Sequence, residues 1–527
     1  METSPRTAYP RLTGTIEADV AVVGAGITGL TAAYLLKQAG KTIAVAEMNR
    51  IGSGATGYTT AKLTVGHNLI YADLISKHGE RAAQRYAESN QAAIERIERL
   101  IADLGIDCDW ERIANYVYTE SAACVGSLED EADAARRIGL DAELTSSTDL
   151  PFDVRAALRV GDQAQFHPLK YVHALAERVA GDGSHVFEET RATDVRDRDP
   201  HVVETANGSI RARDVVIATQ MPFLHRGFLF AKAHPEKSYA VSAPVDADRA
   251  PRAMYISVEQ PTRSIRSAAR ADGARDLIVA GEGHKPGAQP DTERRYAALE
   301  AFARGHWEIG GIEHRWSTHD YVPIDRLPYI GRLESGDPHL LAATGFAKWG
   351  LTKGTLAAEI VADAVLGRVH PWAHLYDATR RSGRHGIRRL AQENGYVASR
   401  FVADRLRLRD GRRAVEQLGA GDATIVRVGG RQYGVYRDDG GVLHAVSARC
   451  THLGCLVGWN SADRTWECPC HGSRFAATGE LMQGPATRDL EPVPLPDGDE
   501  VEWTRRRTRP PRPRPGATHR RLRRTRA

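Results

Sequence analysis

The hydrophobic and polar positions of residues 18–47 change their spacing twice. An apolar, β-branched run over 18–23 is followed by a glycine-rich turn, then by an Ala- and Leu-rich amphipathic stretch that ends at Gly40, and finally by a second apolar run over 42–46. Short continuous apolar runs are typical of buried strands, whereas apolar residues about three to four positions apart are typical of helices. The pattern therefore predicts one βαβ unit.

Further along the chain, the same criteria predict more helices and two groups of strands. Apolar residues at helical spacing predict helices over 80–104, 170–180 and 356–366. Short apolar runs predict strands over 186–217, and alternating segments separated by Pro and Gly over 237–290 predict an antiparallel sheet.

These elements divide the chain into five parts. In chain order we expect an N-terminal extension (1–15), a large α/β domain (16–371) with its antiparallel sheet at about 230–315, an Arg-rich helical linker (372–420), a small all-β domain (421–503) and a tail (504–527). The small domain is predicted from short strands separated by turn dipeptides such as Asp439-Gly440.

A glycine-rich motif connects the first predicted strand to the first helix. Gly24, Gly26 and Gly29 form a G-x-G-x-x-G sequence, and Glu47 stands at the end of the second strand. In this context the glycines permit a tight turn, close approach of the backbone to a pyrophosphate and close helix packing. The N–H groups of the helix start face the anion, and a carboxylate at position 47 would bind a ribose and repel a 2′-phosphate. The motif predicts FAD or NAD rather than NADP, with a purely structural turn as the alternative.

Three further segments favour FAD over NAD. A second Gly- and Ser-rich loop over 51–57 follows the acidic residue, and an apolar strand over 214–219 ends in small residues. The segment 345–352 leads into a helix whose N-terminal dipole would stabilise negative charge on a reduced flavin. The predicted cofactor contacts in these segments are Ser53, Gly54, Thr56, Thr219, Gly345, Trp349, Gly350 and Thr352.

Together these segments resemble the glutathione-reductase-type FAD-binding fold, and in particular the D-amino-acid-oxidase-like flavoenzymes that include glycine and sarcosine oxidases. The resemblance covers about residues 16–368. It implies an α/β FAD-binding part that is discontinuous in sequence and an antiparallel sheet that covers the flavin and binds the substrate. No second G-x-G-x-x-G motif follows a strand, so we expect no built-in NAD(P)H site.

The resemblance also implies candidate catalytic residues. Related flavoenzymes bring the chain across the flavin at the segment that corresponds to 59–64, so Lys62 is predicted to lie beside the flavin; a surface lysine is the alternative. The middle of the chain supplies side chains that face the substrate in this fold, and an Arg there would bind a substrate carboxylate with two hydrogen bonds. These residues are Tyr255, Arg263, Arg266 and His284, and a solvated or structural role is the alternative for each. With no Cys near residues 315–352, we expect no covalent link to the flavin.

Four of the six cysteines lie between residues 450 and 470, which is too local for a disulfide framework and predicts a metal site. They belong to two Cys/His boxes, over 450–455 and 468–473. A tetrahedral zinc site is one interpretation of such boxes, but the extra Cys in each box argues against it. The boxes closely resemble those of Rieske [2Fe–2S] domains.

This second resemblance implies the cluster ligands. Cys450 and Cys468 would bind one iron through sulfur, and His452 and His471 would bind the other through imidazole. Because two neutral imidazoles replace two thiolates, such clusters have potentials of about −150 to +300 mV, above those of plant-type ferredoxins.

Other positions of the boxes correspond to further Rieske features. Cys455 and Cys470 match a pair that is disulfide-bonded in Rieske proteins of respiratory complexes, although a reducing cytoplasm does not favour such a bond. The segment 484–486 resembles the proline loop that covers the cluster. Ser473 matches a hydroxyl donor to a bridging sulfide, but Phe475 replaces the expected Tyr donor, so we predict a potential below that of the respiratory proteins.

The net charge of +4 conceals two opposite contributions. Residues 505–527 hold 11 Arg and no acid, so the first 504 residues carry 60 Lys and Arg against 67 Asp and Glu. We expect a disordered tail, which either binds nucleic acid or anionic lipid or is a solvated appendage, and no nucleic-acid role for the folded body. The N-terminus lacks signal-peptide features and no run of 18 apolar residues occurs, so we expect a cytoplasmic protein without a transmembrane segment.

The combined features predict an oxidoreductase with FAD and a Rieske cluster as cofactors. We expect hydride transfer from a small amine or amino acid to the flavin, with electrons passing through the cluster to an external acceptor such as a ferredoxin-like protein or a quinone. The alternatives are a reductase with electron flow from cluster to FAD to an unsaturated or carbonyl substrate, and a non-catalytic redox sensor or electron carrier.

Overall fold

The computed structural model describes residues 4–289, 291–381, 386–395, 397 and 411–494. Residues 14–381 form what we call the large domain, and residues 411–494 form the small domain. The predicted α/β architecture with an antiparallel sheet and a small β domain is confirmed.

The first sheet of the large domain has eight strands and a parallel centre. Six strands follow one another in the order Tyr329–Glu334, Asp337–Thr344, Gly208–Ile217, Gly14–Val23, Ile43–Ala46 and His185–Phe187. The hairpin of Ala192–Arg196 and His201–Thr205 extends the sheet at Gly208–Ile217. The central strands are apolar because helices cover one face and the hairpin and loops pack on the other.

The second sheet has nine strands and lies over the carboxyl ends of the first. Eight strands follow one another in the order His314–Pro323, Ala233–Val245, Arg275–His284, Arg263–Ala269, Met254–Ser257, Glu111–Thr119, Ala156–Gln165 and Lys62–Leu63, and Ala142–Thr145 pairs with Ala156–Gln165. The sequence prediction placed this sheet at about 230–315, but four of its strands come from residues 62–165. Local alternation of polar and apolar residues indicates a strand without indicating which sheet it joins.

The helices of the large domain pack against both sheets. Their bounds are Ile27–Gln38, Tyr71–His78, Glu80–Leu104, Val125–Arg137, Pro168–Val179, Leu229–Lys232, Glu293–His306, Gly350–Val365 and Ala373–Tyr376, with 3₁₀ turns at Ala122–Cys124 and Arg226–Phe228. The prediction of a helix over 80–104 agrees with the structure, whereas the helix predicted over 356–366 already begins at Gly350. That earlier start brings its N-terminus to the edge of the cavity described below.

The small domain consists of two short antiparallel sheets and one helix. The three-stranded sheet contains Ala423–Val428, Arg431–Arg437 and Leu443–Ser447, and the four-stranded sheet contains Gly458–Asn460, Thr465–Glu467, Arg474–Ala476 and Leu481–Gln483. The helix Gly411–Glu416 packs Val415 against Val426 of the first of these sheets.

Three segments lie outside the two domains: the N-terminal segment, the predicted linker and the predicted tail. Residues 4–13, predicted as an extension, pack on the large domain, where Leu12 is buried. In the predicted helical linker, residues 386–395 are helical, while 398–410 lie outside the described residues, as does the predicted tail. Within the described part of the chain, no helix is both long and apolar enough to cross a membrane.

Candidate functional site

A cavity of about 980 Å³ lies between the two sheets of the large domain. The parallel strands Gly14–Val23 and Gly208–Ile217 end at this cavity, and the residues that follow them, Gly24 and Ala218, line it. In open α/β sheets, ligands bind in the crevice at the carboxyl ends of the strands. The cavity is therefore where the fold places a cofactor.

The glycine motif forms one end of this cavity. Gly24 has a φ of +103°, and a Cβ atom at this position would lie 2.7 Å from the carbonyl oxygen of Ala218. A Cβ atom at Gly29 would overlap the carbonyl oxygen of Gly24, so the turn and the first helix pack without space for side chains. Gly26 lines the cavity itself. The arrangement leaves the backbone N–H groups at the start of the helix accessible to an anion.

Glu47 lies beside the glycine motif on the cavity wall. Its carboxylate accepts hydrogen bonds from the backbone N–H groups of Ala25 at 2.8 Å and Asn49 at 3.0 Å. Burial raises the pKa of Glu47, and the two backbone donors oppose this rise. The carboxylate is thus held in one orientation at the position where the motif predicts a ribose.

Most of the other predicted cofactor contacts also line the cavity. Those that do are Ser53, Gly54, Thr56, Thr219, Trp349 and Gly350. Thr56 accepts a hydrogen bond from the N–H of Ile27 at 3.1 Å, which ties the second loop to the first helix. Gly345 and Thr352 do not line the cavity: Gly345 packs against Pro323, and the hydroxyl of Thr352 lies 3.5 Å from Nε2 of His67 inside the helix layer.

Lys62 lines the opposite end of the cavity. Its side chain is buried, its ammonium donates to the carbonyl oxygen of Tyr255 at 2.9 Å, and Nζ lies 5.8 Å from the ring centroid of Trp349. Burial, together with the positive charge of Arg266, lowers the pKa of Lys62 to about 7. Lys62 therefore lines the cavity and is not a surface lysine, while its predicted position beside the flavin stays a prediction.

The face of the second sheet that borders the cavity carries mostly small, uncharged side chains. They include Ser238, Ala240, Ile256, Ser264, Ala280, Trp316 and Thr318. His67 also borders this space, with its ring stacked on Trp349 at 4.6 Å between centroids. Titratable side chains of the same sheet, including Glu236, His319 and Asp320, also line the cavity, so Lys62 is one of several titratable groups there.

The other candidate catalytic side chains lie outside the cavity wall, which corrects the sequence prediction. Arg263 pairs with Glu282 at 2.8 Å, because Ser264 takes the cavity face and its neighbour along the strand must point the other way. Arg266 is buried and donates to Gln165 at 2.9 Å. It therefore affects the site only because its positive charge lowers the pKa of Lys62.

The two remaining candidates are engaged in similar structural contacts. Nε2 of His284 lies 3.0 Å from the hydroxyl of Tyr239, and Nδ1 lies 2.8 Å from the carbonyl oxygen of Lys285. The hydroxyl of Tyr255 donates to Asp149. Burial, together with the positive charge of Arg295, lowers the pKa of His284 to about 4 and keeps the ring neutral.

The two Cys/His boxes form two adjacent loops of the small domain. Cys450 and Cys468 are buried free thiols, and the imidazole rings of His452 and His471 lie 4.9 Å apart between centroids. Within the described residues, both ring nitrogens of His452 and Nδ1 of His471 are buried without a hydrogen-bond partner. Buried polar atoms normally have partners, so this set of two thiols and two imidazoles fits a metal cluster.

The remaining two cysteines of the boxes are not available as ligands. The sulfur atoms of Cys455, Cys468 and Cys470 lie within 4.8 Å of one another, but a disulfide joins Cys455 to Cys470. The bond links the two ligand loops beside the free thiols. The four predicted ligands are therefore the ones that the structure leaves free.

Two family models match the chain, "FAD dependent oxidoreductase" over residues 19–364 and "Rieske [2Fe-2S] domain" over residues 412–494. The chain belongs to the FAD-dependent oxidoreductase family and carries a C-terminal Rieske domain. The predictions of FAD and a Rieske [2Fe–2S] cluster as cofactors are confirmed. We call the cavity of the large domain the flavin cavity.

Known proteins resemble either the whole chain or the flavoenzyme part. YhfW of Bacillus subtilis (strain 168), described as a Rieske 2Fe-2S iron-sulfur protein, is 34% identical over 490 residues, which are 93% of this chain and 96% of YhfW. Gamma-glutamylputrescine oxidoreductase of Escherichia coli (strain K12) is 24% identical over 391 residues, which are 68% of this chain and 86% of the oxidoreductase. The crystal structure of glycine oxidase from Geobacillus kaustophilus superimposes with a TM-score of 0.59 and 19% identity, covering 70% of this chain and 100% of the oxidase.

The small domain closes part of the flavin cavity. Residues 480–487, which include the proline loop at 484–486, line the cavity together with Glu47 and Asn49 of the large domain. Asn49 donates to the carbonyl oxygen of Met482 at 3.4 Å. The loop that the resemblance places over the cluster thus also borders the flavin cavity.

Tyr321 forms a direct link between the two cofactor sites. Its hydroxyl donates to the carbonyl oxygen of His471, a predicted cluster ligand, at 2.8 Å. Its own carbonyl oxygen accepts from the N–H of Ala347 at 3.0 Å, in the segment that lines the flavin cavity next to Trp349. Tyr321 therefore makes one hydrogen bond to a predicted cluster ligand and another to the segment that lines the flavin cavity.

A buried group of charges fixes the small domain on the large one. Lys237, which is fully buried, forms ion pairs with Asp463 and Glu467 of the small domain. Asp463 also pairs with Arg474 at 3.1 Å and accepts a hydrogen bond from Ser317. Burial alone would raise the pKa of Asp463, but the charges of Lys237 and Arg474 outweigh it and lower the pKa to about 2. We call Lys237, Asp463, Glu467 and Arg474 the interdomain charge cluster.

Sequence reasoning missed several residues of the site. His67 lies only five residues beyond Lys62, in the polar Gly66-His67-Asn68 segment after a short strand, which is a signal that could have been used. Tyr321 and Lys237 lie on strands far from the Cys/His boxes, and no local pattern indicates that they contact the small domain.

Phe475→Tyr tests the predicted effect of the missing hydroxyl on the cluster potential. Phe475 is fully buried in the small domain, beside the loop that carries Cys468 and His471. We expect the variant to raise the midpoint potential by roughly 40 mV, since a hydrogen bond worth about 1 kcal/mol to the reduced cluster corresponds to that shift for one electron. Redox titration followed by electron paramagnetic resonance measures it. A wild-type midpoint at the top of the Rieske range, or no rise in the variant, would contradict the interpretation.

Proposed function

We propose that the protein oxidises a small amine or amino acid at the flavin cavity and passes the electrons through the Rieske cluster to an external one-electron acceptor. FAD accepts two electrons as a hydride, and the cluster transfers electrons singly. The main support is the shared border of the two sites: residues 480–487 of the small domain line the flavin cavity, and Tyr321 contacts both sites. A cluster held in this position is placed to exchange electrons with the flavin.

The proposed substrate class rests on two observations. Relatives of the flavoenzyme part include a protein named for gamma-glutamylputrescine, an amine, and the fold is that of a glycine oxidase. The face of the second sheet that borders the cavity carries mostly small, uncharged side chains, and Lys62, with a pKa of about 7, is a buried amine on the lining. Such a group fits a substrate whose own ammonium must lose a proton before the adjacent C–H bond can be broken.

We assign Lys62 the role of accepting that proton. Above pH 7 its amine is mostly neutral and can act as a base, and its hydrogen bond to the carbonyl of Tyr255 orients it. The stacked pair of Trp349 and His67 forms the adjacent wall of the cavity.

The decisive experiment is anaerobic reduction of the holoenzyme by a panel of amines, amino acids and N-alkyl amino acids. We expect a substrate to bleach the flavin absorbance first, with the cluster signal changing afterwards in stopped-flow spectra. If no compound of the panel bleaches the flavin, the proposal is wrong. If a reduced external carrier reduces the cluster before the flavin and an unsaturated or carbonyl compound then reoxidises both, electrons flow in the opposite direction and the oxidation proposal also fails.

A further inference from the structure

A turn of the large domain covers the histidine side of the cluster site. The ring of His225 lies 5.1 Å from that of His452, and the ring of Phe230 lies 5.7 Å from His452 and 5.2 Å from His471, between centroids. The turn between these two residues, Arg226–Phe228, is therefore the part of the large domain next to the iron that the histidines bind.

The same turn exposes a large aromatic side chain. Phe228 is 66% exposed and has a φ of +51°, a conformation that L residues with a Cβ rarely adopt. Gly227 before it has a φ of +70°, and a Cβ atom there would overlap the carbonyl oxygen of Leu333, so packing fixes the turn. Unfavourable backbone conformations that packing maintains are concentrated at functional sites.

The small domain adds a second exposed apolar side chain to this region. Leu453 follows the ligand His452 directly and is 42% exposed. The ring contacts of Phe228 with Phe230, and of Phe230 with His452, connect the two apolar residues through the ligand itself. We call Phe228, Phe230, Leu453 and His225 the cluster patch.

The charges next to the cluster patch are basic on the side of the small domain. Arg488 is exposed, and its carbonyl oxygen accepts a hydrogen bond from Thr451, the residue before His452, at 2.5 Å. Arg449 is also exposed and begins the same ligand loop. On the other side, Arg226 pairs with both Asp197 and Glu334, which leaves one carboxylate in excess there. An apolar centre with a basic edge favours a partner with an acidic surface.

We propose that the cluster patch is the docking surface for a small one-electron carrier protein whose redox centre is surrounded by acidic side chains, as in a ferredoxin or a flavodoxin. In the outward direction, one electron leaves the reduced cluster and reduces the oxidised carrier, and no atom is transferred. The proposal rests on the proposed function only in requiring that the cluster exchanges electrons with an external protein, and it holds for either direction of flow.

The test uses the full-length protein with both cofactors and an acidic plant-type [2Fe–2S] ferredoxin and a flavodoxin as probes, with basic cytochrome c for comparison. Calorimetry gives the Kd at low and high salt, and stopped-flow spectroscopy after dithionite reduction gives the rate of cluster oxidation. We expect at least one acidic probe to bind, with affinity falling as salt rises. Phe228→Ala and Arg488→Glu should each weaken binding about tenfold or more and slow cluster oxidation to a similar degree.

The controls separate docking from folding and from catalysis. Phe228→Gly removes the ring while suiting the positive φ, so its fold is retained and it should weaken binding as Phe228→Ala does. Val369→Ala and Arg249→Glu change an exposed apolar residue and an exposed cation elsewhere and should bind as the wild type does. The proposal is overturned if neither acidic probe binds the wild type, or if the patch variants bind within twofold of it. Because dithionite and not an amine supplies the electrons, the docking test can be interpreted even if no compound of the amine panel reduces the flavin.

Discussion

Lys237→Met is expected to lower the free energy of unfolding by about 3–5 kcal/mol and to loosen the small domain from the large one. Lys237 is fully buried and compensates two buried carboxylates, those of Asp463 and Glu467. Met has a similar volume but no charge, so it leaves more anions than cations inside the interdomain charge cluster. Denaturant unfolding measures the loss of stability, and slower cluster reduction after flavin reduction measures the loosened contact.

Two further variants test whether the loss of stability comes from the buried charge that Lys237→Met leaves unpaired. Lys170→Met removes an exposed ion pair with Asp109 and should cost about 1 kcal/mol or less. Adding Glu467→Gln to Lys237→Met leaves Asp463 paired with Arg474 and should recover part of the stability, because the numbers of buried cations and anions are equal again. If Lys237→Met is as stable as Lys170→Met, the charge cluster does not hold the domains together.

The cofactor sites could be predicted from sequence because their determinants are local. The glycine motif requires only a strand, a turn and a helix that are adjacent in the chain, and Gly24 and Gly29 occupy the predicted close contacts. The two Cys/His boxes are similarly local, since each loop supplies one thiol and one imidazole. In both cases a few consecutive residues determine the local geometry, so the spacing of these residues along the chain is enough to predict the site.

The substrate face of the flavin cavity could not be predicted in the same way. Whether a residue of a strand faces the cavity depends on the sheet that the strand joins and on its register, both of which are set by distant residues. On the strand Arg263–Ala269, for example, Ser264 borders the cavity while Arg263 points to Glu282. The contact of Tyr321 with His471 depends on how two domains pack, and no pattern along either segment encodes it.

Two buried lysines near Trp349 differ in their access to the flavin cavity. Lys62 lines the cavity, whereas Lys353 lies in the helix that follows Trp349, donates to the carbonyl oxygen of Phe346 at 3.0 Å and does not border the cavity. Burial lowers the pKa of each to about 7. Because the two lysines are similarly buried but only Lys62 lines the cavity, replacing each in turn separates a direct catalytic effect from the effect of removing any buried positive charge.

Lys62→Met is expected to lower the rate of flavin reduction by substrate at pH 7.5 by roughly 100-fold or more, the usual contribution of a positioned base. A lysine whose pKa is lowered to about 7 is mostly protonated at pH 6 and mostly neutral at pH 8, so the wild-type rate should rise with pH through about 7 and then level off. In the variant this rise should move to higher pH, towards the pKa of the substrate ammonium itself. Removing a buried amine relieves its desolvation cost, so the variant should fold at least as well as the wild type.

Stopped-flow flavin reduction across pH 5.5–9.5 measures the effect, with substrate binding and the limiting rate determined separately. Lys353→Met removes an equally buried lysine away from the substrate and should retain the rise near pH 7. A Lys62→Met enzyme that keeps the wild-type pH profile and limiting rate but binds substrate more weakly would show that Lys62 holds the substrate as a cation and does not accept its proton. Whether the variant loses limiting rate or only substrate affinity therefore decides if Lys62 accepts the proton of the substrate or binds the substrate as a cation.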